Sequence, residues 1–263
     1  MKSKKKTTQN TKKDKIHIGY FYYDLLNLYG DSGNVTILEH HLREQGFAVS
    51  VDRLTVDEPK KITDYDLIYM GSGTERALLL ALMDLRKYKT PLSYAIEHGT
   101  FILATGNSFE LFGKEIRMGR KVYAGLGLLD FSSEYGARIV HDLCLPYSGS
   151  TFGNTAGETP TSRPLGTANT LVGFENHPGS VVELKEKPFV RIDDRTEGVI
   201  KNNFLGTYTI GPLLVRNPFL CRELVQNLIH AKYPQFSMKE ADYTLEEQAY
   251  NASLKFMKEA HLS

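Results

Sequence analysis

Cysteine is scarce in this sequence, and its scarcity excludes several kinds of site. The 263 residues include two cysteines, Cys144 and Cys221, which form no CxxC pair. We therefore expect neither a disulfide framework nor a metal site, and this usage is typical of a reducing cytoplasm. Long apolar runs are missing too, since none approaches the roughly 20 residues that cross a membrane. Nothing in the pattern indicates a cofactor. The cysteine usage and the lack of long apolar runs predict a cytoplasmic protein with no membrane span.

Positive charge is concentrated at the start of the chain. The net charge is +1, yet residues 1–15 carry seven lysines and a single acid, Asp14. No arginine or aromatic residue is interleaved with these lysines, as a nucleic-acid-binding arm would require. No apolar stretch follows them as in a secretory signal. We therefore predict a disordered, solubilising tail over residues 1–15, rather than a nucleic-acid or membrane arm.

Strand-like and helix-like segments alternate between residues 16 and 113. This alternation is typical of an α/β fold with a doubly wound, mostly parallel sheet flanked by helices. We expect one such domain over residues 16–235 and a helical extension over residues 236–263. The predicted buried strands are residues 16–21, 47–51, 65–70 and 101–104.

Several local patterns complete this prediction. Asn34 is expected to cap the first helix, and Pro218 is expected to occupy the first position of a later one. Residues 181–184 and 189–192 indicate a hairpin. Residues 148–169, rich in Ser, Thr, Gly and Pro, predict a long surface loop, either mobile or a lid.

The stretch of residues 103–113, LATGNSFELFG, has the layout of a strand, a sharp turn and the start of a helix. Such elbows present a nucleophile above the carboxyl edge of a parallel sheet. A second Gly-rich turn, residues 71–76 (GSGTER), follows the preceding strand and offers backbone N–H groups to an anion or oxyanion. Since both turns follow strands of one sheet, we expect them to lie at the same edge.

The elbow lacks an evident nucleophile, because glycine stands at its apex. Cys144 and Cys221 lie within apolar runs and are interpreted as small buried hydrophobes. Ser108 is the nearest hydroxyl, but it follows the apex by two residues, so a helical turn would carry it away. His177 lies in a polar turn near the expected site, where both a structural role and a role as a base stay open.

Four ordered segments carry a resemblance to a known family. They are residues 24–34 (DLLNLYGDSGN), 71–76 (GSGTER), 173–177 (GFENH) and 206–214 (GTYTIGPLL). Together they resemble the GatD-like glutaminase subunits of lipid II isoglutaminyl synthase. Those subunits form a branch of the cobyric-acid-synthase-type, CobB/CobQ-like class I glutamine amidotransferases. The resemblance extends from Ile16 to about Ile229 and implies a class I amidotransferase-like, flavodoxin-like fold.

The departures from the family pattern fall on its catalytic residues. The family's elbow resembles LAICGGYQLLG, in which the cysteine is the nucleophile, and that position here is Gly106. The two following glycines are Asn107 and Ser108, and the glutamine-contacting Gln is Glu110. The family's base is the histidine of GTYLHG, and its position here is Ile210.

The resemblance also implies where a ligand would be contacted. Arg138 lies where the family has a substrate-contacting arginine, and His177 matches a family histidine other than the usual base. The implied ligand-binding positions are Gly71, Gly73, Asn107, Glu110 and Arg138.

Glycine cannot attack a carbonyl carbon and isoleucine cannot accept a proton. Losing one member of such a catalytic pair removes most of the activity. The resemblance therefore implies an amidotransferase-like pseudoenzyme that acts with a Mur-ligase-like (MurT-like) partner in amidation of a cell-wall precursor, lipid II, or in a related ligation. Two alternatives stay open, namely an active amidotransferase or hydrolase of altered chemistry that uses Ser108, with or without His177, and a module that binds a small carboxylate, amide or other anion.

Overall fold

The fold is built on a central sheet of six strands. The computed structural model describes residues 14–147, 152 and 169–260, without the side chain of residue 260. The strands of the central sheet lie in the order β11-β12-β4-β3-β1-β2, and all neighbouring pairs are parallel except β11 with β12. These strands are β1 (Lys15–Phe21), β2 (Ala48–Leu54), β3 (Leu67–Met70), β4 (Phe101–Thr105), β11 (Val199–Lys201) and β12 (Phe204–Thr207).

The described helices cover the two faces of this sheet. Alternate residues of β3 enter different apolar clusters: Ile68 packs with one, and Tyr69 with the other. Both faces are therefore buried, as near-continuous apolar strands predict, and the prediction of a mostly parallel α/β fold is confirmed. The helices are α1 (Ser32–Glu44), α2 (Glu75–Leu85), α3 (Lys89–His98), α4 (Leu213–Arg216), α5 (Pro218–Lys232) and α6 (Thr244–Ala260).

A second sheet reaches over the carboxyl edge of the first. It has the strand order β6-β5-β7-β8, in which β7 and β8 form a long antiparallel ribbon. Its register shifts between Tyr135 and Ile139. A separate two-stranded sheet pairs β9 with β10. These strands are β5 (Glu115–Met118), β6 (Lys121–Ala124), β7 (Ser132–Tyr147), β8 (Asn169–Val182), β9 (Val190–Ile192) and β10 (Arg195–Glu197).

The structure corrects two local predictions. Asn34 does not cap α1, which begins at Ser32. Its buried side chain donates to the Tyr69 hydroxyl (2.8 Å) and accepts from the Leu214 N–H (2.7 Å). The expected hairpin of residues 181–184 with 189–192 is also wrong, because β8 pairs with β7 and β9 pairs with β10. Both errors arise from long-range partners that outweigh local preference.

Two further predictions concern parts of the chain beyond the described residues. The lysine-rich tail falls outside them except for its last two residues, and the loop of residues 148–169 falls outside them except for Phe152 and Asn169. Among the residues that are described, no helix combines the length and apolar character needed to cross a membrane.

Candidate functional site

A small cavity lies where three turns of the central sheet meet the β7–β8 ribbon. The turns contribute Ser72 after β3, Gly106 after β4 and Ile210 after β12. The ribbon contributes Arg138 and His177. The cavity has a volume of about 110 Å³. It therefore forms at the carboxyl edge of the parallel strands, where the two Gly-rich turns were expected to meet.

The structure separates the predicted site residues into two groups. Six of them line this cavity: Gly73, Gly106, Asn107, Arg138, His177 and Ile210. The other three, Gly71, Ser108 and Glu110, lie behind its wall. Gly71 is needed for close packing, since a Cβ atom there would lie 2.4 Å from the carbonyl oxygen of Leu26.

Gly106 has the backbone of an elbow, with a φ of +64°. Only glycine adopts this left-handed conformation without steric cost. A Cβ atom at this position would lie 2.1 Å from the Cβ of Ser72 and 3.0 Å from its Oγ. The side chain of Ser72 thus occupies the place where a side chain at the apex would begin.

Ser72 is held in that place by a buried carboxylate. Its backbone N–H and its hydroxyl both donate to Asp31 Oδ2, at 2.9 and 2.8 Å. Asp31 Oδ1 accepts from the hydroxyl of Thr105, the residue before the apex, at 3.1 Å. Burial raises the pKa of Asp31, while the bonds from Ser72 and Thr105 act in the opposite direction. One side chain from the loop after β1 therefore joins the turns after β3 and β4.

The carboxamide of Asn107 covers the backbone group that an oxyanion would use. Its Oδ1 accepts from the N–H of Gly73 at 3.0 Å, and its Nδ2 donates to the carbonyl of Gly73 at 2.8 Å. An oxyanion is stabilised by free N–H donors directed at it. The Gly73 N–H is already engaged, so the second Gly-rich turn lacks that donor in this arrangement.

Ser108 is fully buried and does not line the cavity. Its hydroxyl lies 3.0 Å from the carbonyl oxygen of Thr105 and 3.3 Å from that of Met70. It is the third residue of the buried 3₁₀ helix Gly106–Phe112 rather than the residue at the apex. This geometry gives Ser108 a structural contact and no approach to a substrate in the cavity.

Glu110 lies behind the cavity wall, and Tyr208 separates it from the cavity. Its carboxylate accepts from the hydroxyls of Tyr208 (2.8 Å) and Tyr135 (3.1 Å). Burial raises the pKa of Glu110 to about 7, although both tyrosine bonds act to lower it. A ligand in the cavity would therefore meet the ring of Tyr208 rather than a fully charged carboxylate.

His177 lies flat against the ring of Tyr208, with ring centroids 3.7 Å apart and planes 7° apart. Its Nδ1 is 2.6 Å from the carbonyl oxygen of Gly179, and its Nε2 is 3.2 Å from Glu175 Oε1. Burial alone would raise the pKa of Glu175, but bonds from His177 and Arg195 bring it below its ordinary value. Each ring nitrogen of His177 therefore faces an acceptor of the protein itself.

The remaining predicted positions are Ile210 and Arg138. Ile210 is buried and bonds through its backbone to Phe174 of β8, which ties the turn after β12 to the ribbon. Arg138 is exposed and donates through Nε to Asn176 Oδ1 at 2.7 Å. It is the guanidinium that borders the cavity.

Neither cysteine contributes to the site. Cys144 lies on β7 and Cys221 is buried in α5, and neither lines the cavity. Burial raises the pKa of Cys221 well above its ordinary value, which keeps the thiol protonated. Cys221 is buried, as the apolar pattern predicted. Cys144 is only half-buried because much of β7 is exposed or half-buried, so its interpretation as a buried hydrophobe is wrong.

Three residues that shape the site were not singled out from the sequence. They are Asp31, Ser72 and Tyr208, and each lies inside a segment that was recognised as a motif. Asp31 could have been suspected, because it is a lone acid between glycines in the loop after a buried strand. The contact between Ser72 and position 106 has no local signal, since it depends on how two distant turns approach.

The comparisons with known proteins agree with the fold and the motifs. Residues 17–218 match the CobB/CobQ-like glutamine amidotransferase domain. The GatD subunit of the glutamine-hydrolysing lipid II isoglutaminyl synthase of Staphylococcus aureus (strain N315) is 32% identical over 243 residues, covering 89% of this chain and 93% of the relative. The corresponding Streptococcus pneumoniae subunit (strain ATCC BAA-255 / R6) is 26% identical over 232 residues, covering 84% and 83%.

A solved structure supports the fold alone. The crystal structure of a glutamine amidotransferase superposes with a TM-score of 0.51 at 16% identity, covering 81% of this chain and 97% of that one. Together, the domain match and the identity to curated relatives place this chain in the CobB/CobQ-like glutamine amidotransferase family, as a GatD-like member.

Proposed function

We propose that this chain is a GatD-like subunit that does not hydrolyse glutamine. It acts in the cytoplasm with a Mur-ligase-like (MurT-like) partner in the amidation of a cell-wall precursor, lipid II or a related acceptor. Its relatives are subunits of lipid II isoglutaminyl synthase, and the name of that enzyme states that it hydrolyses glutamine. The amidotransferase domain matches over residues 17–218, whereas glycine and isoleucine stand at the positions that the family resemblance assigns to the nucleophile and the base.

The contact between Ser72 and Gly106 is the observation that carries this proposal. A nucleophile needs room for its side chain at the apex, and Ser72 fills that room. The base position is the aliphatic Ile210, and the Gly73 N–H is bonded to Asn107. The site is thus packed by its own side chains, which supports a role in assembly or regulation over bond breaking.

A glutaminase assay tests the proposal. Purified protein is incubated with glutamine, alone and with its Mur-ligase-like partner, and the glutamate released is measured. The Staphylococcus aureus subunit serves as the positive control. We expect no release above the enzyme-free rate. Any release above that rate would contradict the proposal, and release that survives Ser108→Ala, Cys144→Ala and Cys221→Ala would also contradict the identification of the site.

The role in assembly is tested separately by co-purification. We expect the chain to form a stable complex with the partner and to increase amidation of the acceptor with ammonia as the nitrogen donor. If the chain neither binds the partner nor changes the ammonia-dependent rate, the scaffold role is wrong even if the glutaminase result stands.

A second candidate function is binding of a small carboxylate or amide in the cavity. It is favoured by Arg138, whose guanidinium borders the cavity, and opposed by the acidic Glu75 at the start of α2, which borders it too. Thermal unfolding with glutamine, glutamate and inorganic phosphate tests it. A rise in Tm that Arg138→Ala abolishes would support binding, and no rise with any of the three would exclude it for these ligands.

A further inference from the structure

A cluster of histidine and carboxylate groups lies away from the cavity, at the end of α1. It consists of His40, His41 and Glu44. One potential ligand atom from each lies within 4.8 Å of the others. The scarcity of cysteine that argued against a metal site does not bear on this group, because its donors are imidazole and carboxylate.

Glu44 lies between the two imidazoles and offers one carboxylate oxygen to each. Its Oε2 is 2.9 Å from His41 Nδ1, and its Oε1 is 3.7 Å from His40 Nε2. Two ligands of a tetrahedral zinc ion with bonds of about 2.0–2.1 Å are roughly 3.3 Å apart. The Glu44–His41 separation is shorter than that value and the Glu44–His40 separation is longer, and the ligand atoms of the two histidines lie within 4.8 Å of each other. An ion would therefore draw the exposed side chain of His40 inward.

The ring of His41 is held in a fixed orientation. It is fully buried and stacks on Tyr243, with ring centroids 3.9 Å apart and planes at 16°. Its second nitrogen, Nε2, lies 3.3 Å from Glu246 Oε1 of α6. Histidines that bind metals commonly direct their other ring nitrogen at a carboxylate, which fixes the tautomer. Here Glu246 lies near Nε2 without hydrogen-bond geometry, and Nδ1 faces Glu44.

The surroundings also favour a cation that arrives from solvent. His40 and Glu44 have side chains that are 56% and 32% exposed, so the open side of the cluster is accessible. Glu44 and Glu246 both lie beside His41. Arg222 lies over the ring of Tyr243, which stacks on His41. Two carboxylates around a buried imidazole leave negative charge that an ion would offset.

We propose that His40 Nε2, His41 Nδ1 and the Glu44 carboxylate bind a divalent transition-metal ion of the zinc class. Water completes the coordination, and Glu246 is the outer carboxylate that orients His41. Two imidazoles and one carboxylate suit Zn²⁺, Ni²⁺ or Co²⁺ better than Mg²⁺ or Ca²⁺. Since Glu246 belongs to α6, the ion strengthens the attachment of the C-terminal helix to α1. This differs from the expectation of a metal-free chain.

Calorimetric titration of the chelator-treated full chain with ZnCl₂ tests this proposal. We expect one ion for each chain, a rise in Tm on binding, and visible d–d absorption when Co²⁺ replaces Zn²⁺. His40→Ala should abolish this binding, and because His40 is exposed the variant should keep its circular dichroism spectrum. His98→Ala is the matched control, since His98 is exposed at the end of α3, and it should bind like the wild type.

Substitution of Glu246, the outer carboxylate, provides a second test of the proposed metal site. Glu246→Gln keeps a hydrogen-bonding group near His41 and should weaken Zn²⁺ binding about 10- to 100-fold. The proposal is overturned if the wild type binds no zinc stoichiometrically, or if His40→Ala binds it as tightly as the wild type does. Equal affinity in the Glu246 variant would remove the link to α6.

Discussion

The Cβ of Ser72 lies 2.1 Å from the point that a Cβ atom at position 106 would occupy. This relationship joins residues on two turns that are distant in the chain, and it excludes any side chain at the elbow apex while Ser72 keeps its place. Gly119 gives a matched comparison, because its φ of +60° resembles that of Gly106. A Cβ atom at Gly119, however, would enter open space, with nothing beyond its chain neighbours within 4 Å.

The first prediction uses that pair of glycines. Gly106→Ala should lower the free energy of unfolding by about 1–3 kcal/mol more than Gly119→Ala does, because it adds overpacking to the same backbone strain. Urea denaturation of both variants measures the difference. Adding Ser72→Gly should recover stability in the Gly106 variant and not in the Gly119 variant. Equal losses in the two single variants would show that Ser72 moves aside freely.

The second prediction concerns Asp31. Asp31→Asn replaces one carboxylate oxygen with an amide N–H₂, which then faces either the two donors of Ser72 or the hydroxyl of Thr105. We therefore expect a loss of roughly 1–3 kcal/mol in the free energy of unfolding. Asp194→Asn is the control, since Asp194 is exposed and its replacement should change stability by less than about 0.5 kcal/mol. Chemical denaturation near pH 7 measures both. A loss no larger than the control's would mean that Asp31 does not join the turns.

The third prediction is a pH dependence of stability. Burial raises the pKa of Glu110 to about 7 and that of Glu197 to about 8. A carboxyl group whose pKa is raised on folding binds more protons in the folded state, so stability falls as pH rises. The fall should begin near the unfolded pKa of about 4.5 and level off above about 8.

Glu110→Gln isolates the contribution of one group. The neutral amide still accepts from a tyrosine hydroxyl and cannot ionise, so the variant should lose less stability between pH 5 and pH 8 than the wild type, by on the order of 3 kcal/mol. Urea denaturation at both pH values measures the change. Identical pH profiles for the two proteins would mean that Glu110 titrates at an ordinary pKa.

The fourth prediction concerns a buried ion pair outside the site. Lys60 Nζ lies 2.6 Å from Asp84 Oδ2, and both side chains are fully buried. Lys60→Met leaves Asp84 with only the exposed Lys87 as a cation partner (Nζ to Oδ1, 2.9 Å) and should cost up to about 3–5 kcal/mol in the free energy of unfolding. The neighbouring Lys61 is exposed, so Lys61→Met is the control and should change little. Thermal and chemical denaturation of the pair tests this, and similar stability of both variants would refute it.

The central sheet could be predicted because its strands are apolar on both faces and short turns separate them from helices. The same logic located the cavity: turns that follow parallel strands meet at one edge, which brought Gly73 and Gly106 together, whereas the place of Ile210 was implied by the family resemblance. Apart from the place of Ile210, these inferences use only the order and period of the sequence, so no knowledge of side-chain direction was needed.

The contacts among the residues that form the cavity could not be predicted in the same way. Asn107 bonds to Gly73, and Ser72 packs on Gly106, because two turns approach within contact distance in the folded chain. Asn34 has the composition of a helix cap, yet its buried side chain bonds to Tyr69 and Leu214. Local propensity cannot rank such long-range partners, which are decided by the packing of the whole sheet.

The carboxylate of Asp31 has a consequence for motion. It is bonded to the turns after β3 and β4 while belonging to the loop after β1. If any one of these turns opened, the same buried charge would lose a partner. The rim of the cavity should therefore open cooperatively, with the amide hydrogen of Ser72 exchanging only when the whole rim does.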